Sequence, residues 1–169
     1  RVHSFAAATE LHAYFEHAGA LLGALYLVGG TDVHVENLIA SQNGPVLIDA
    51  ETLFHPPVAV DGMDSASVSV NRTLFTDSII RTGLLPWWNL TAAGQPLDVG
   101  GLTGGTQPPD INQRIWLNLN TDRQKLVRRP GKGRTSLGNL PVVDGKSISA
   151  AAHVDPVVAG FTDLMQRAS

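Results

Sequence analysis

Apolar positions in the first part of the chain recur at helical spacing. Leu11, Phe15, Ala18, Leu22 and Leu25 follow at intervals of three and four, and Tyr14, Leu21 and Tyr26 widen the stripe. Phe5 to Leu27 is therefore expected to form an amphipathic helix. Gly29-Gly30 closes it, because glycine takes the left-handed conformation that ends a helix without steric cost. Polar residues then dominate from Thr31 to Asn37, the pattern of a loop. Leu38-Ile39-Ala40 is a short apolar run, Asn43-Gly44 is a hairpin signal, and Val46-Leu47-Ile48 is the returning strand, ending on Asp49.

Beyond Glu51 the pattern weakens. Residues 56–110 carry no clear period. Ser65 to Val70 alternates weakly, and Asp77 to Leu85 reads as a short helix ended by Pro86. Gly100 to Gly105 reads as a flexible loop. Ile115 to Leu117 and Asn139 to Val143 are candidate strands, and Arg123 to Arg134 a basic, solvated loop. Asp155-Pro156 has the form of an N-cap followed by proline at the first helical position, starting a helix to about Gln166. The fold class expected is α+β, with long irregular insertions.

Composition narrows the chemistry. The 169 residues are 43% hydrophobic and 16% charged, enough for one domain with a core. A net charge of −3 gives no sign of a nucleic-acid or membrane-surface protein. The chain has no cysteine, which excludes disulfides and thiolate zinc sites. The apolar stretch Ala18 to Gly30 is too short to span a bilayer, and no signal peptide opens the chain. A cytoplasmic location is expected. The first residue is Arg1 and not Met, so the chain is expected to start inside a longer protein.

Candidate chemistry gathers between Asp32 and Glu51. Phosphoryl transfer from ATP needs a carboxylate to orient or deprotonate the attacking hydroxyl, oxygen ligands for magnesium, and positive charge to neutralise the transition state. In protein kinases the catalytic loop supplies an Asp and, five residues on, a metal-binding Asn. A hairpin follows and presents a second Asp. Here Asp32 and Asn37 are five residues apart, and Asp49 follows Asn37 by twelve, across the expected hairpin. Asp32 is the candidate catalytic carboxylate, and Asn37 and Asp49 are the candidate magnesium ligands, hard oxygens suited to a hard cation. His34 could donate to a phosphate or polarise the acceptor hydroxyl. Glu36, Glu51 and His55 are candidate supporting residues. Singly, each of these has a bland reading: a turn cap, a loop amide, a strand-end carboxylate. Their joint order and spacing favour the site. His3, His12, His17 and His153 read as structural or solvated.

At these residues the sequence resembles a family. Ala18-Gly19-Ala20-Leu21-Leu22, then Gly30-Thr31-Asp32-Val33-His34-Val35-Glu36-Asn37-Leu38-Ile39-Ala40, then Pro45 through Pro56 with its Asp49-Ala50-Glu51-Thr52-Leu53-Phe54, look like the dehydratase domain of class II lanthipeptide synthetases (LanM). The likeness continues at Arg81 to Pro86 and more loosely at Asn139-Leu140-Pro141 and Ala159-Gly160-Phe161. The resemblance implies a lipid-kinase-like, protein-kinase-like catalytic lobe. It implies an enzyme that phosphorylates Ser and Thr of a ribosomal precursor peptide, recognised with its leader, using ATP and Mg2+. Elimination of phosphate then gives dehydroamino acids. Carried over, Asp32 and His34 serve phosphorylation, and Asn37 and Asp49 hold magnesium. Residues 1–169 would be a partial dehydratase domain. The ATP-anchoring lysine of kinase-like folds precedes the catalytic loop, but Lys125, Lys132 and Lys146 all follow it. The lysine region is thus expected upstream, and the elimination and zinc (Zn2+) cyclase regions downstream. The isolated chain is expected to be inactive. Two other readings compete: a metal-dependent phosphoesterase, since Asp-x-His opens such sites, and a non-catalytic module that binds precursor peptide.

Overall fold

The computed structural model describes residues 8–54, 77–90, 94, 96–103, 111–131 and 138–169. The described residues form an α+β arrangement of two α-helices and four two-stranded antiparallel sheets. The expected features at Phe5, Ser65 to Val70 and His55 lie outside the described residues.

Helix α1 spans Ala8–Leu27 and buries Tyr14, Phe15, Ala18, Leu22 and Leu25, the stripe expected from its periodicity. It ends where the glycines stand. Gly29 is left-handed at φ 71°, and Gly30 N–H donates to Leu25 O at 2.8 Å, a Schellman-type closure. The Arg81 guanidinium donates to Tyr26 O at 2.9 Å, placing a cation at the negative end of the helix.

Helix α2 spans Val154–Ala168 and packs along α1. The expected Asp155 cap is displaced by two positions. His153 is the N-cap residue, without a side-chain cap bond, because its ring stacks on Phe15 at 4.5 Å and 9°. Asp155 lies in the first turn, where its charge suits the dipole. Pro156 also lies in that turn, where a missing N–H breaks no helical bond. The two helices approach backbone to backbone. A Cβ on Gly19 would meet the Val157 carbonyl, and one on Gly160 the Glu16 carbonyl.

Four hairpins follow the chain. Strands β1 (Leu38–Ser41) and β2 (Gly44–Leu47) pair with Leu38 opposite Leu47 and Ser41 opposite Gly44. The turn is thus Gln42-Asn43, one residue earlier than expected. Gly44, at φ 118°, opens β2 and packs against His17. The helix expected over Asp77 to Leu85 shrinks to a 3-10 turn at Ile79–Thr82, started by the Ser78 hydroxyl and stopped by left-handed Gly83. Strands β3 (Trp88–Leu90) and β4 (Pro96–Asp98) pair next.

The expected basic loop is corrected. Lys125–Gly131 is strand β6, paired along its length with β5, Ile111–Leu117. The half-buried Ile115 and Val127 sit opposite each other in that register, a cross-strand pair that favours a ribbon. The strand expected over Asn139 to Val143 is reduced to β7, Val142–Val143, paired with β8, Lys146–Ser147. Asp144 and Gly145, both at positive φ, make its turn.

The core joins Ala18, Leu22 and Leu25 of α1 to Val33, Leu38, Leu84, Leu102 and Leu140. Beside it lies an apolar cavity of about 610 Å³ between Leu22, Leu85, Leu102, Val154, Val157 and Phe161. Asn139 ties this region together. Its Nδ2 donates to Gly101 O and Thr103 O, both at 2.8 Å, and Tyr14 OH donates to its backbone carbonyl at 3.0 Å. Among the described residues no helix is long and apolar enough to cross a membrane.

Two outcomes follow from this packing. Gly160→Ala should destabilise the fold by about 1–3 kcal/mol, since the added methyl meets helix backbone that cannot yield locally; thermal unfolding measures it. Burial raises the Tyr14 phenol above its ordinary pKa. The unfolded phenol ionises first, so the Tyr14 contribution is intact below about pH 10 and lost as pH rises above it. Tyr14→Phe should cost about 1 kcal/mol at neutral pH and flatten the alkaline loss in a pH series of melting curves.

Candidate functional site

The run Thr31 to Asn37 alternates, and the alternation decides which side chains face outward. Val33 and Val35 are 1% and 7% exposed, whereas Asp32 and Glu36 are exposed and His34 is half-buried. Leu38 at 1% exposure continues the inward series. The inward residues are strapped on both sides. Val33 N–H donates to Thr82 O at 2.9 Å and Val35 N–H to Val99 O at 3.1 Å, while His34 pairs antiparallel with Gly100.

Asp32 holds a left-handed backbone at φ 60°, a conformation that Asp tolerates better than most residues. Its carbonyl accepts from His34 N–H at 2.9 Å and from Asn37 Nδ2 at 3.0 Å. Asn37 thereby bends the loop back on Asp32. Asn37 N–H donates to His34 O at 3.0 Å, and Glu36 N–H donates to His34 Nδ1 at 3.2 Å. An Nδ1 that accepts puts the proton of a neutral imidazole on Nε2, the outer nitrogen.

The hairpin carries the second half of the site. Ile48 N–H donates to Asn37 O at 3.0 Å, which extends the β1–β2 register by one pair. Asn37, just before β1, and Asp49, just after Ile48, therefore stand at the same open end. Asp49 Oδ1 accepts from Glu51 N–H at 3.2 Å, fixing a turn there. The Thr52 hydroxyl donates to Thr31 O, and Phe54 N–H donates to Val28 O at 3.0 Å, which folds this turn back beside the loop. Asp32, His34 and Asn37 thus share one loop, with Asp49 and Glu51 on the adjoining turn. Glu36 contributes its N–H inside the loop while its carboxylate is solvated. Val28 to Phe54 holds Asp32, Glu36, Asp49 and Glu51 and no Lys or Arg. None of these residues lines the apolar cavity.

The sequence reading missed what grips the loop. Gly100 to Leu102, expected to be flexible, is pinned: Gly101 N–H donates to Gly83 O at 2.9 Å and Leu102 N–H to Leu84 O at 2.8 Å. A Cβ on Gly101 would lie 2.7 Å from Val33 O, and one on Gly83 would lie 3.0 Å from Val33 N. Adjacent glycines signal close backbone approach as readily as freedom. Asp98 was missed as well. Its Oδ1 accepts from Trp87 N–H at 2.9 Å and Gly100 N–H at 3.1 Å, and its Oδ2 accepts from the Thr103 hydroxyl.

A family model described as a domain of unknown function, DUF4135, matches residues 1–169. The chain belongs to that family, and the resemblance to class II lanthipeptide synthetases is borne out. It is similar to the lacticin 481/lactococcin biosynthesis protein LcnDR2 of Lactococcus lactis subsp. lactis, at 33% identity over 125 residues. The match covers 71% of this chain and 13% of that protein, so the chain spans a small part of its relative's length.

Gly101→Ala tests the grip on the loop. The methyl would press on the Val33 carbonyl, and we expect a loss of about 1–3 kcal/mol in thermal unfolding. We also expect faster amide exchange at Val33 and Val35 by hydrogen–deuterium measurement.

Proposed function

We propose that this chain, as a member of its family, carries the catalytic-loop and magnesium half of a lanthipeptide dehydratase with a kinase-like core. The enzyme would phosphorylate Ser and Thr of a precursor peptide and then eliminate the phosphate. One observation carries the reading: Asn37 and Asp49 stand at the same open end of the hairpin, with Asn37 bonded to the backbone of Asp32. Two hard oxygen ligands suit Mg2+ held chiefly through nucleotide phosphates and water. When bound with ATP, the metal would neutralise charge on the transferring phosphoryl group.

The chain's own residues have distinct tasks in this mechanism. The exposed Asp32 carboxylate accepts the proton of the attacking hydroxyl as its oxygen bonds to phosphorus and the bond to the leaving diphosphate breaks. His34 presents Nε2–H as a donor to phosphoryl oxygen. Asn37 and Asp49 would hold the metal, and Asn37 also bonds the backbone of Asp32. In elimination, the α-proton leaves to a base and the Cβ–O bond breaks to release phosphate. The reading assigns no residue of this chain to that step. The similarity to a lantibiotic biosynthesis protein supports a peptide substrate. A cytoplasmic location fits that role.

In the full-length synthetase, Asp32→Ala should abolish phosphorylation of a co-expressed precursor peptide. Mass spectrometry should then find the peptide neither phosphorylated nor dehydrated. Unchanged dehydration would sink the reading.

A further inference from the structure

We infer that Asp98 is a positioning residue for phosphorylation, acting through the backbone that faces His34; the inference rests on the reading proposed above. Asp98 is half-buried at the end of β4 and touches none of the candidate catalytic groups. Its carboxylate gathers three donors: Trp87 N–H, Gly100 N–H and the Thr103 hydroxyl. Hydrogen bonds to an ionised acceptor are stronger than neutral ones. Together they curl residues 98–103 into a fixed turn, closed further by Thr103 N–H donating to Gly100 O at 2.9 Å.

That turn is the wall on which the catalytic loop rests. Val99 O receives the Val35 N–H at 3.1 Å, and Gly100 is the antiparallel partner of His34. On its other side, Val99 N–H donates to Trp87 O at 2.9 Å, beside the Trp87 N–H that Asp98 holds. Asp98 therefore sets the spacing between Trp87, just before β3, and the Val99–Gly100 peptide. The backbone at His34 and Val35 takes its place from that peptide. Without the carboxylate, Trp87 N–H and Gly100 N–H lose their acceptor, and the Val99–Gly100 peptide is held only by the backbone bonds at Val99 and Gly101. Val33 keeps its separate bond to Thr82, so the loop shifts at its His34 end and not as a whole.

The test uses the full-length synthetase with purified precursor peptide and follows two steps separately. Phosphorylation is read as phosphopeptide formed with MgATP, and elimination as dehydration of a synthetic phosphopeptide. Asp98→Ala should lower kcat for phosphorylation by about 100-fold, the scale of an ångström-level misplacement. KM for ATP and the elimination rate should be unchanged. Asp98→Asn keeps a side-chain oxygen for Trp87 and Gly100 and should restore most of the rate. Wild-type phosphorylation in Asp98→Ala, or equal loss of both steps, would overturn the inference. If Asp98→Ala does not fold, Thr103→Val, which removes one of the three bonds, is judged by the same selective loss. Asp32→Ala separates the two levels of argument: full phosphorylation in that variant defeats the proposed function itself. A loss there with normal Asp98→Ala defeats only the role of Asp98.

Discussion

The Val33 peptide is held between two glycines, and the candidate site depends on that grip. Gly83 approaches its nitrogen and Gly101 its carbonyl, so closely that a side chain at either position would displace backbone. The Val33 side chain is fully buried in the core with Leu22, Leu84 and Leu102. A peptide fixed on both faces and anchored by its side chain has no freedom to slide. Asp32 and His34 flank it directly, so their directions follow from its position. The left-handed backbone at Asp32 is sustained in the same way. Such a conformation costs on the order of 1–3 kcal/mol and persists where its surroundings over-determine it.

This arrangement explains which features were legible in the sequence and which were not. The α1 stripe was legible because Phe15, Ala18, Leu22 and Leu25 obey one period over several turns. The loop and hairpin were legible because polar, apolar and turn residues alternate there within a few positions of one another. Its turn fell one residue from the expected place, since Gly44 serves close packing under His17 and not the turn itself. The Asp144-Gly145 hairpin carries an equally local turn signal, but its strands are only two residues long, too short for a period to show. Gly100-Gly101, the Asp98 carboxylate and the Asn139 amide were not legible. Gly101 acts on Val33 and Asn139 on Gly101 and Thr103, partners far along the chain, while Asp98 bonds groups of irregular backbone and one hydroxyl that follow no period. Local periodicity holds no information on such pairs.

Polar groups inside this fold serve backbone more than one another. Asn139 spends both amide hydrogens on the carbonyls of Gly101 and Thr103, and Thr82 uses its hydroxyl on Ile79 and Leu84. Asn37 does the same at the site, with its amide on the Asp32 carbonyl. Irregular backbone cannot satisfy its own donors and acceptors as helices and sheets do, so side chains must complete it. The consequence is a division of labour within a single loop. Residues facing inward, Val33 and Val35, supply burial, and neighbouring segments supply the backbone bonds. Residues facing outward, Asp32 and His34, are then largely relieved of structural duty at their side chains: the Asp32 side chain is exposed while its backbone carbonyl and His34 Nδ1 carry the bonds. The proposed phosphorylation would need that separation, because a carboxylate already committed to holding the fold is not available to take a proton.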